Sequence, residues 1–372
     1  MRLYIHWPFC VSRCAYCDFN SRVASRELHA LYHHALITEI ENRSRCIGEE
    51  RRDLGSLYLG GGTPSIMKGE EVARFLEEVF RYFRRGPGTE VTVEVNPADW
   101  CAGDFIQARE GGVNRFSMGV QSLSDDVLAF LGRRHSANQA VEAMRSALAS
   151  GADVSADLLC ALPAAGRLSA SDSLSDVLDL GPHHISLYGL TLEKSTPLAK
   201  RVELGEVALP GEDEAADEYL ALVSTLGERG YEQYEISNFS RPGYESRHNL
   251  AYWSREEYLG VGAGAHSLIA ERRFSNRSSV LQYIENIKSG GSTLESYEVL
   301  NLSERESEEI MLGLRTTAGV REELVGHSVD GLEALGLIVR RLGRIRLTPS
   351  GMLVSNTIIA GLLPDVDSLR CA

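Results

Sequence analysis

The sequence predicts an α/β protein: a partial (β/α)6 barrel followed by a smaller C-terminal α+β part that ends in a winged-helix-like module. Three observations predict it. Through the first half of the chain, short β-rich runs alternate with amphipathic helical stretches. Helix-length crossovers between strands favour parallel pairing in right-handed units. Near the C-terminus a helix–helix–hairpin pattern replaces the alternation. Six βα units are fewer than the eight of a closed barrel, so an incomplete barrel or a doubly wound sheet accommodates them.

In chain order, strands are expected at 3–6, 56–59, 90–95, 115–119, 154–158 and 184–187. Helices are expected at 27–43, 70–83, 102–110, 125–131, 138–150 and 171–180. In the second of these, Val72, Phe75, Leu76, Val79 and Phe80 recur at helical spacing. Residues 191–211, with Pro197, Gly205, Pro210 and many charges, read as a long connection. A helix at 213–229 and a strand at 231–239 follow, then a stretch rich in Gly, His and aromatic residues to Ser267. Ser303 and Glu306 have the spacing of a capping box. Helices at 321–325 and 329–337 precede a hairpin, 338–342 and 345–348, around Gly343. The tail after Leu363 is expected to fray. The domains expected are 1–210 for the barrel, 211–300 for an extension that contacts haem or substrate, and 301–372 for the winged-helix-like part.

The chain has 372 residues, of which 43% are hydrophobic and 24% charged, as in a folded globular protein. No run is apolar enough to suggest a spanning helix, and the start has neither the length nor the polarity pattern of a signal peptide. A cytoplasmic location is therefore expected. The net charge of −14 opposes general nucleic-acid binding, which needs clustered cations. The helix expected at 329–337 carries Asp330 and Glu333, the wrong sign for phosphates, although Arg340 and Arg341 follow it.

Seven cysteines in a reducing compartment point to metal or redox chemistry where they cluster. Cys10, Cys14 and Cys17 form a Cys-x3-Cys-x2-Cys run just after the first strand. Three thiolates so close on a loop suit three corners of a cubane iron–sulfur cluster, whose fourth iron stays open to an external ligand. Zinc is the rival metal and would need a fourth Cys or His from elsewhere; a metal-free structural role is the remaining alternative. Cys46, Cys101, Cys160 and Cys371 are scattered and read as buried or indifferent thiols. Gly60-Gly61-Gly62-Thr63-Pro64 follows the second strand. Such a loop lets backbone approach a ligand and exposes amides, although a tight turn explains it equally well. No Gly-Lys-Ser/Thr follows, so it is not a nucleotide-phosphate loop.

The cysteine run, its Tyr4-Ile5-His6 lead-in and Gly60–Pro64 resemble the radical S-adenosylmethionine (SAM) enzymes. Within them the chain is similar to the branch around oxygen-independent coproporphyrinogen III oxidase, which includes the HemW-type haem chaperones. The resemblance extends through Glu94–Pro97, Asn114–Ser122, Leu131–His135, Asp157–Leu159 and His248–Trp253. It implies a [4Fe-4S] cluster on Cys10, Cys14 and Cys17, with the amino and carboxylate groups of SAM on the open iron. An electron from the cluster would then split the sulfonium to give a 5′-deoxyadenosyl radical. It also implies that Glu94, Gln121, Arg133 and Asp157 bind SAM, the arginine suiting the carboxylate and Gln121 and Asp157 the ribose diol. Gly61, Gly62 and Thr63 belong to the same site, and Tyr4 and Tyr16 are expected beside the cluster or cofactor. Structural capping, ion pairing or packing is the alternative for each.

Within the branch, Phe19 stands where the oxidase pattern has a further cysteine, and with the first strand expected from about residue 3 the oxidase's amino-terminal extension is not expected. His248-Asn249-Leu250-Ala251-Tyr252-Trp253 matches a HemW-type motif, and its imidazole is a candidate axial ligand for haem iron; a hydrogen-bonded core histidine is the competing reading. The resemblance therefore implies a haem carrier serving haem-requiring respiratory proteins, with an electron donor and with membrane association only through those partners. The alternatives are decarboxylation of coproporphyrinogen III and radical chemistry on an unrelated substrate. Related sequences run to Gly-Leu-Pro where this chain has Ala161-Leu162-Pro163, so Ala161 would be strained if the site needs a positive φ. His266 is expected to be a structural turn residue, and His183 and His184 to lead into a strand.

Overall fold

A computed structural model describes residues 1–163, 169–325 and 329–363. Six strands pair side by side, all parallel: β1 (Arg2–Trp7), β2 (Asp53–Gly61), β3 (Arg84–Val95), β4 (Arg115–Gln121), β5 (Asp153–Cys160) and β6 (His184–Gly189). The crossovers are α1 (Arg26–Cys46), α2 (Gly69–Val79), α3 (Ala102–Glu110), α4 (Asp125–Leu131), α5 (Ala137–Ala149) and α6 (Ala170–Leu180). Ser25, Ser124, Ser136 and Ser169 each accept an amide at the start of α1, α4, α5 and α6, an arrangement worth about 1 kcal/mol per cap. Val72, Phe75, Leu76 and Val79 are the buried stripe of α2. That helix stops short of the expected 83 because β3 already begins at Arg84.

One side of each strand packs under the helices. Leu3, Ile5, Leu57, Leu59, Val93, Phe116, Met118, Val154, Ala156 and Ile185 are fully or almost fully buried. Each large side chain so placed contributes about 1.5–3 kcal/mol. The alternate positions face the inside of the curved sheet and build the site described below.

The middle of the chain departs from expectation in three places. The supposed connection at 191–211 contains α7 (Pro197–Glu203), whose start is fixed by the Thr196 hydroxyl, accepting from the Ala199 amide, and by Pro197 in the first turn. After α8 (Glu212–Glu228), the strand expected at 231–239 is a hairpin, β7 (Glu232–Glu235) and β8 (Asn238–Ser240). β8 pairs antiparallel with β6, and β7 forms the far edge of the sheet. The aromatic-rich stretch holds α9 (Arg247–Trp253) and a seventh parallel strand, β9 (Tyr258–Val261), on the free edge of β1. β10 (His266–Ile269), β11 (Arg272–Asn276) and β12 (Leu294–Val299) extend that edge antiparallel, and α10 (Val280–Ser289) packs on α1. The result is one twelve-stranded sheet.

The C-terminal part has its own apolar cluster, including Ile310, Leu314, Val320, Ile338 and Ile345. Its elements are α11 (Leu302–Gly313), β13 (Val320–Arg321), α12 (Glu322–Val325), α13 (Asp330–Ala334), β14 (Ile338–Arg341), β15 (Arg344–Leu347), α14 (Pro349–Leu353) and α15 (Ser355–Leu362). The sheet order is β13-β15-β14. The cap of α11 is Asn301 with Glu304, not Ser303 with Glu306: the Asn301 side chain accepts from the Glu304 amide, and Glu304 accepts from that of Asn301. The hairpin forms around Leu342 and Gly343, both at positive φ. Asp330 and Glu333 of α13 bind Arg340, so a cation beside this acidic helix is already paired. The tail expected to fray lies outside the described residues.

Candidate functional site

Cys10, Cys14 and Cys17 sit on the loop between β1 and α1, at the carboxyl end of the parallel strands. Backbone bonds pin this loop at several points. Arg22 donates to the Pro8 carbonyl at 2.7 Å, Cys10 to Arg22 at 3.0 Å, Ala15 to Leu131 at 3.0 Å, and Leu198 of α7 donates to Ala15 at 2.9 Å. None of these bonds uses a sulfur. The glycine loop presses on the same segment: Gly62 donates to the Trp7 carbonyl at 2.7 Å and Thr63 to Phe9 at 2.8 Å. The Gly61 amide goes to Glu94 at 2.9 Å. The amides expected to be exposed to a ligand are therefore consumed internally. Close approach is what the glycines provide: a Cβ on Gly62 would lie 2.7 Å from the Phe9 carbonyl oxygen, and one on Gly61, at φ 116°, would lie 2.4 Å from the His6 ring.

The three thiols open onto a cavity of about 410 Å³ lined also by Tyr16, Gly61, Gly62, Thr63, Glu94, Gln121, Arg133 and Asp157. The structure thus brings together eleven of the cofactor and metal residues expected from sequence, all but Tyr4 and His248, and Gly61 also borders a neighbouring space. Sequence reading missed Tyr58, Thr92, Arg115, Ser117, Ser155, His184, Ser186 and Tyr188, which line the same cavity. Their signal was present: Thr92 and Glu94 on β3, Arg115, Ser117 and Gln121 on β4, Ser155 and Asp157 on β5, and His184 and Ser186 on β6 are polar residues at alternate positions of strands that are otherwise apolar.

The electrostatics are those of a buried, charged ligand site. Glu94 accepts from the Tyr58 hydroxyl and the Gly61 amide, both at 2.9 Å, yet burial pushes its carboxyl up to about 7. Burial likewise raises Asp157, which accepts from Ser186 at 2.7 Å and from Ser117 at 3.2 Å. Burial raises the Cys10 and Cys17 thiols, against hydrogen bonds that lower them. The Thr63 hydroxyl donates to the Cys10 sulfur at 3.3 Å, and Arg133 donates to that of Cys14 at 3.5 Å and to the Gly119 carbonyl at 2.7 Å. Such donors favour negative sulfur. Polar atoms on cavity-lining residues, Arg133 Nε, Arg115 Nη2 and Thr92 Oγ1 among them, are buried without partners among the described residues, and an unmet buried donor marks room for a missing acceptor. Three thiols with donors aimed at two of them, facing a polar cavity, fit a cluster with one iron left for an outside ligand. Among the described residues no fourth cysteine lines that cavity.

Tyr16, on the wall of that cavity, also packs on the apolar group of Val127, Leu131 and Leu159. Other expectations land elsewhere. Tyr4 does not line the cysteine cavity: its hydroxyl meets His6 Nδ1 at 2.9 Å, and it lines a second cavity of about 620 Å³ that shares Gly61 and Glu94 with the first. His248 is 1% exposed. Its Nδ1 pairs with the Ser56 hydroxyl at 2.8 Å and its Nε2 with that of Tyr252 at 2.9 Å. Neither nitrogen is free for iron, so the competing reading, a core histidine, describes it. Gln121 has φ 67° at the end of β4, and Ala161 has φ 55°, a left-handed conformation costing a residue with a Cβ about 1 kcal/mol. Cys160 is buried, whereas Cys46 and Cys101 are exposed; Cys371 lies outside the described residues. His266 is exposed at the start of β10 and lines the second cavity, and His184 starts β6 as expected.

Comparison with known proteins places this geometry. The family model of the radical SAM superfamily matches residues 4–164. The heme chaperone HemW of Bacillus subtilis is 34% identical over 98% of this chain and 99% of its own. That of Lactococcus lactis is 32% identical over 97% of each. The chain belongs to the HemW family of radical SAM proteins. A mitochondrial relative from Danio rerio, radical S-adenosyl methionine domain-containing protein 1, is 36% identical over 86% of this chain and 74% of its own. Among solved structures, the coproporphyrinogen III oxidase HemN of Escherichia coli superposes with a TM-score of 0.82 over 97% of this chain and 89% of its own, at 22% identity. At that identity the match concerns the fold, and it agrees with the α/β architecture found here. HemW membership bears out the branch assigned from the cysteine run, Phe19 and the His248–Trp253 motif, although the motif's histidine is structural in this geometry.

Proposed function

We propose that this chain is a haem chaperone that binds haem and passes it to haem-requiring respiratory proteins. The observation that carries the reading is the identity to the HemW chaperones along nearly the whole of both chains. On this reading Cys10, Cys14 and Cys17 hold a [4Fe-4S] cluster and the adjoining cavity holds SAM. When bound and reduced, the cluster supplies the electron that cleaves the sulfonium. The chain's own residues bind and orient. Arg133 offers its unpartnered Nε to the SAM carboxylate. Glu94 suits an ammonium or hydroxyl group, and Asp157, held by Ser117 and Ser186, faces the ribose diol with Gln121. Gly61, Gly62 and Thr63 keep the cysteine loop seated.

The protein acts in the cytoplasm, takes its electron from a separate donor and meets membranes only through its recipients. No helix among the described residues is long and apolar enough to cross a membrane. Residues 1–210 form the barrel unit, 211–300 the extension that meets haem, and 301–372 the winged-helix-like unit.

Incubating the reduced, cluster-loaded protein anaerobically with ferric haem, and separately with SAM and coproporphyrinogen III, tests the function. A shifted Soret band without formation of protoporphyrinogen IX is expected. Multiple turnovers to protoporphyrinogen IX would make the chain an oxidase instead.

A further inference from the structure

We propose that His266, rather than His248, binds the haem iron, and that the porphyrin occupies the second cavity, between the β9–β11 edge of the sheet and α11. This rests on the haem-binding reading above and adds the place and the ligand.

A histidine that ligates iron needs one nitrogen free and facing open space. Three described histidines line the two cavities: His6, His184 and His266. His6 has Nδ1 on the Tyr4 hydroxyl and Nε2 on the Asn20 carbonyl, both at 2.9 Å. His184 has Nδ1 on Ser155 at 2.7 Å and Nε2 on Tyr234 at 2.8 Å. His248 is saturated in the same way and lines neither cavity. The His266 side chain has no hydrogen-bond or ion-pair partner among the described residues, and it stands on the wall of the larger cavity.

That cavity suits a flat, mostly apolar disc with acidic edges. Its volume of about 620 Å³ lies within the usual range for ligand sites. Tyr252, Tyr258, Leu268, Met311 and Leu312 give it apolar and aromatic walls, and Phe19, 64% exposed, stands at the boundary with the cysteine cavity. Arg255 and Arg273 line it as well; both bind Glu308, with Arg255 also on Glu271 and Arg273 on Glu298. Two guanidiniums in one wall are a site where carboxylate side groups of a porphyrin can exchange with protein carboxylates. Gly61 and Glu94 belong to both cavities, so a disc in the second lies directly beside the space that faces the cysteines.

The test uses the full-length protein and ferric haem, followed by absorption and electron paramagnetic resonance. His266 is exposed, so His266→Ala should fold. It should shift the Soret band, change the iron spin state and weaken haem binding about tenfold or more, and added imidazole should restore the wild-type spectrum. Leu312→Trp, which adds bulk to the α11 wall of the cavity and keeps the histidine, should also weaken binding. A His266→Ala spectrum and affinity equal to wild type would overturn the ligand assignment. Unchanged binding by Leu312→Trp would overturn the location. If the wild-type protein binds no haem at all, the haem-carrier reading fails as well.

Discussion

The variant Cys10→Ala/Cys14→Ala/Cys17→Ala is expected to be folded and to contain neither iron nor acid-labile sulfide after anaerobic reconstitution. The loop carrying these residues is held by backbone bonds at Cys10, Ala15, Arg22 and Thr63 and by the seating of Gly62 on the β1 exit. The sulfurs are half-buried and serve this scaffold as acceptors, from Thr63 and Arg133 among others. Losing them removes the donor set and leaves the scaffold, so circular dichroism should match wild type while the visible absorption of the cluster disappears. Iron and sulfide retained at wild-type levels would show that other side chains carry the metal.

The second large effect is on stability. Replacing His248 by alanine should cost about 3 kcal/mol at neutral pH. It removes two buried hydrogen bonds, strands the hydroxyls of Ser56 and Tyr252, and empties space against Tyr58, whose ring lies 5.1 Å from the imidazole. The cost should depend on pH with a defined sign. Burial, assisted by Arg2, holds the His248 imidazole down at about 3, against an ordinary value of 6.5. Between those values the unfolded chain binds a proton that the folded chain does not, so wild-type stability from this residue falls as pH drops below 6.5. At pH 5 the gap between wild type and variant should therefore narrow by about 2 kcal/mol. Chemical denaturation at pH 5 and pH 7.5 checks both numbers. A cost under about 0.5 kcal/mol, independent of pH, would mean that His248 is not the saturated core residue described here.

Much of the scaffold was legible because its parallel strands and crossover helices follow local rules. The helices at 102–110 and 125–131 lie where the apolar spacing put them. What failed was decided at longer range. β9 reads as one short run in an aromatic segment, and only its pairing with β1, more than 250 residues away in sequence, makes it a seventh parallel strand. The Asn301 cap competed with a Ser303 pattern that was equally good locally.

The site shows the same division. The cysteine run and the strand-end positions of Glu94, Gln121 and Asp157 were readable from spacing. The role of Gly62 was not, because the atom that forbids a side chain there belongs to Phe9 on another strand exit. His248 was attractive in sequence because a histidine between aromatics resembles a ligand. The hydroxyls that occupy it come from Ser56, 192 residues earlier, and from Tyr252 one helical turn on. The unoccupied His266 carried the weaker signal, a histidine in a glycine-rich turn. Ala161 was anticipated as a point of strain and has positive φ.

The central claim is that three thiolates leave one iron of a cubane open to SAM. Electron paramagnetic resonance of the reduced, reconstituted protein, recorded with and without SAM, addresses it directly. A reduced [4Fe-4S] signal whose shape and g-values change when SAM is added is expected. A cluster spectrum indifferent to saturating SAM, or a preparation holding only a single tetrahedral zinc ion, would contradict it.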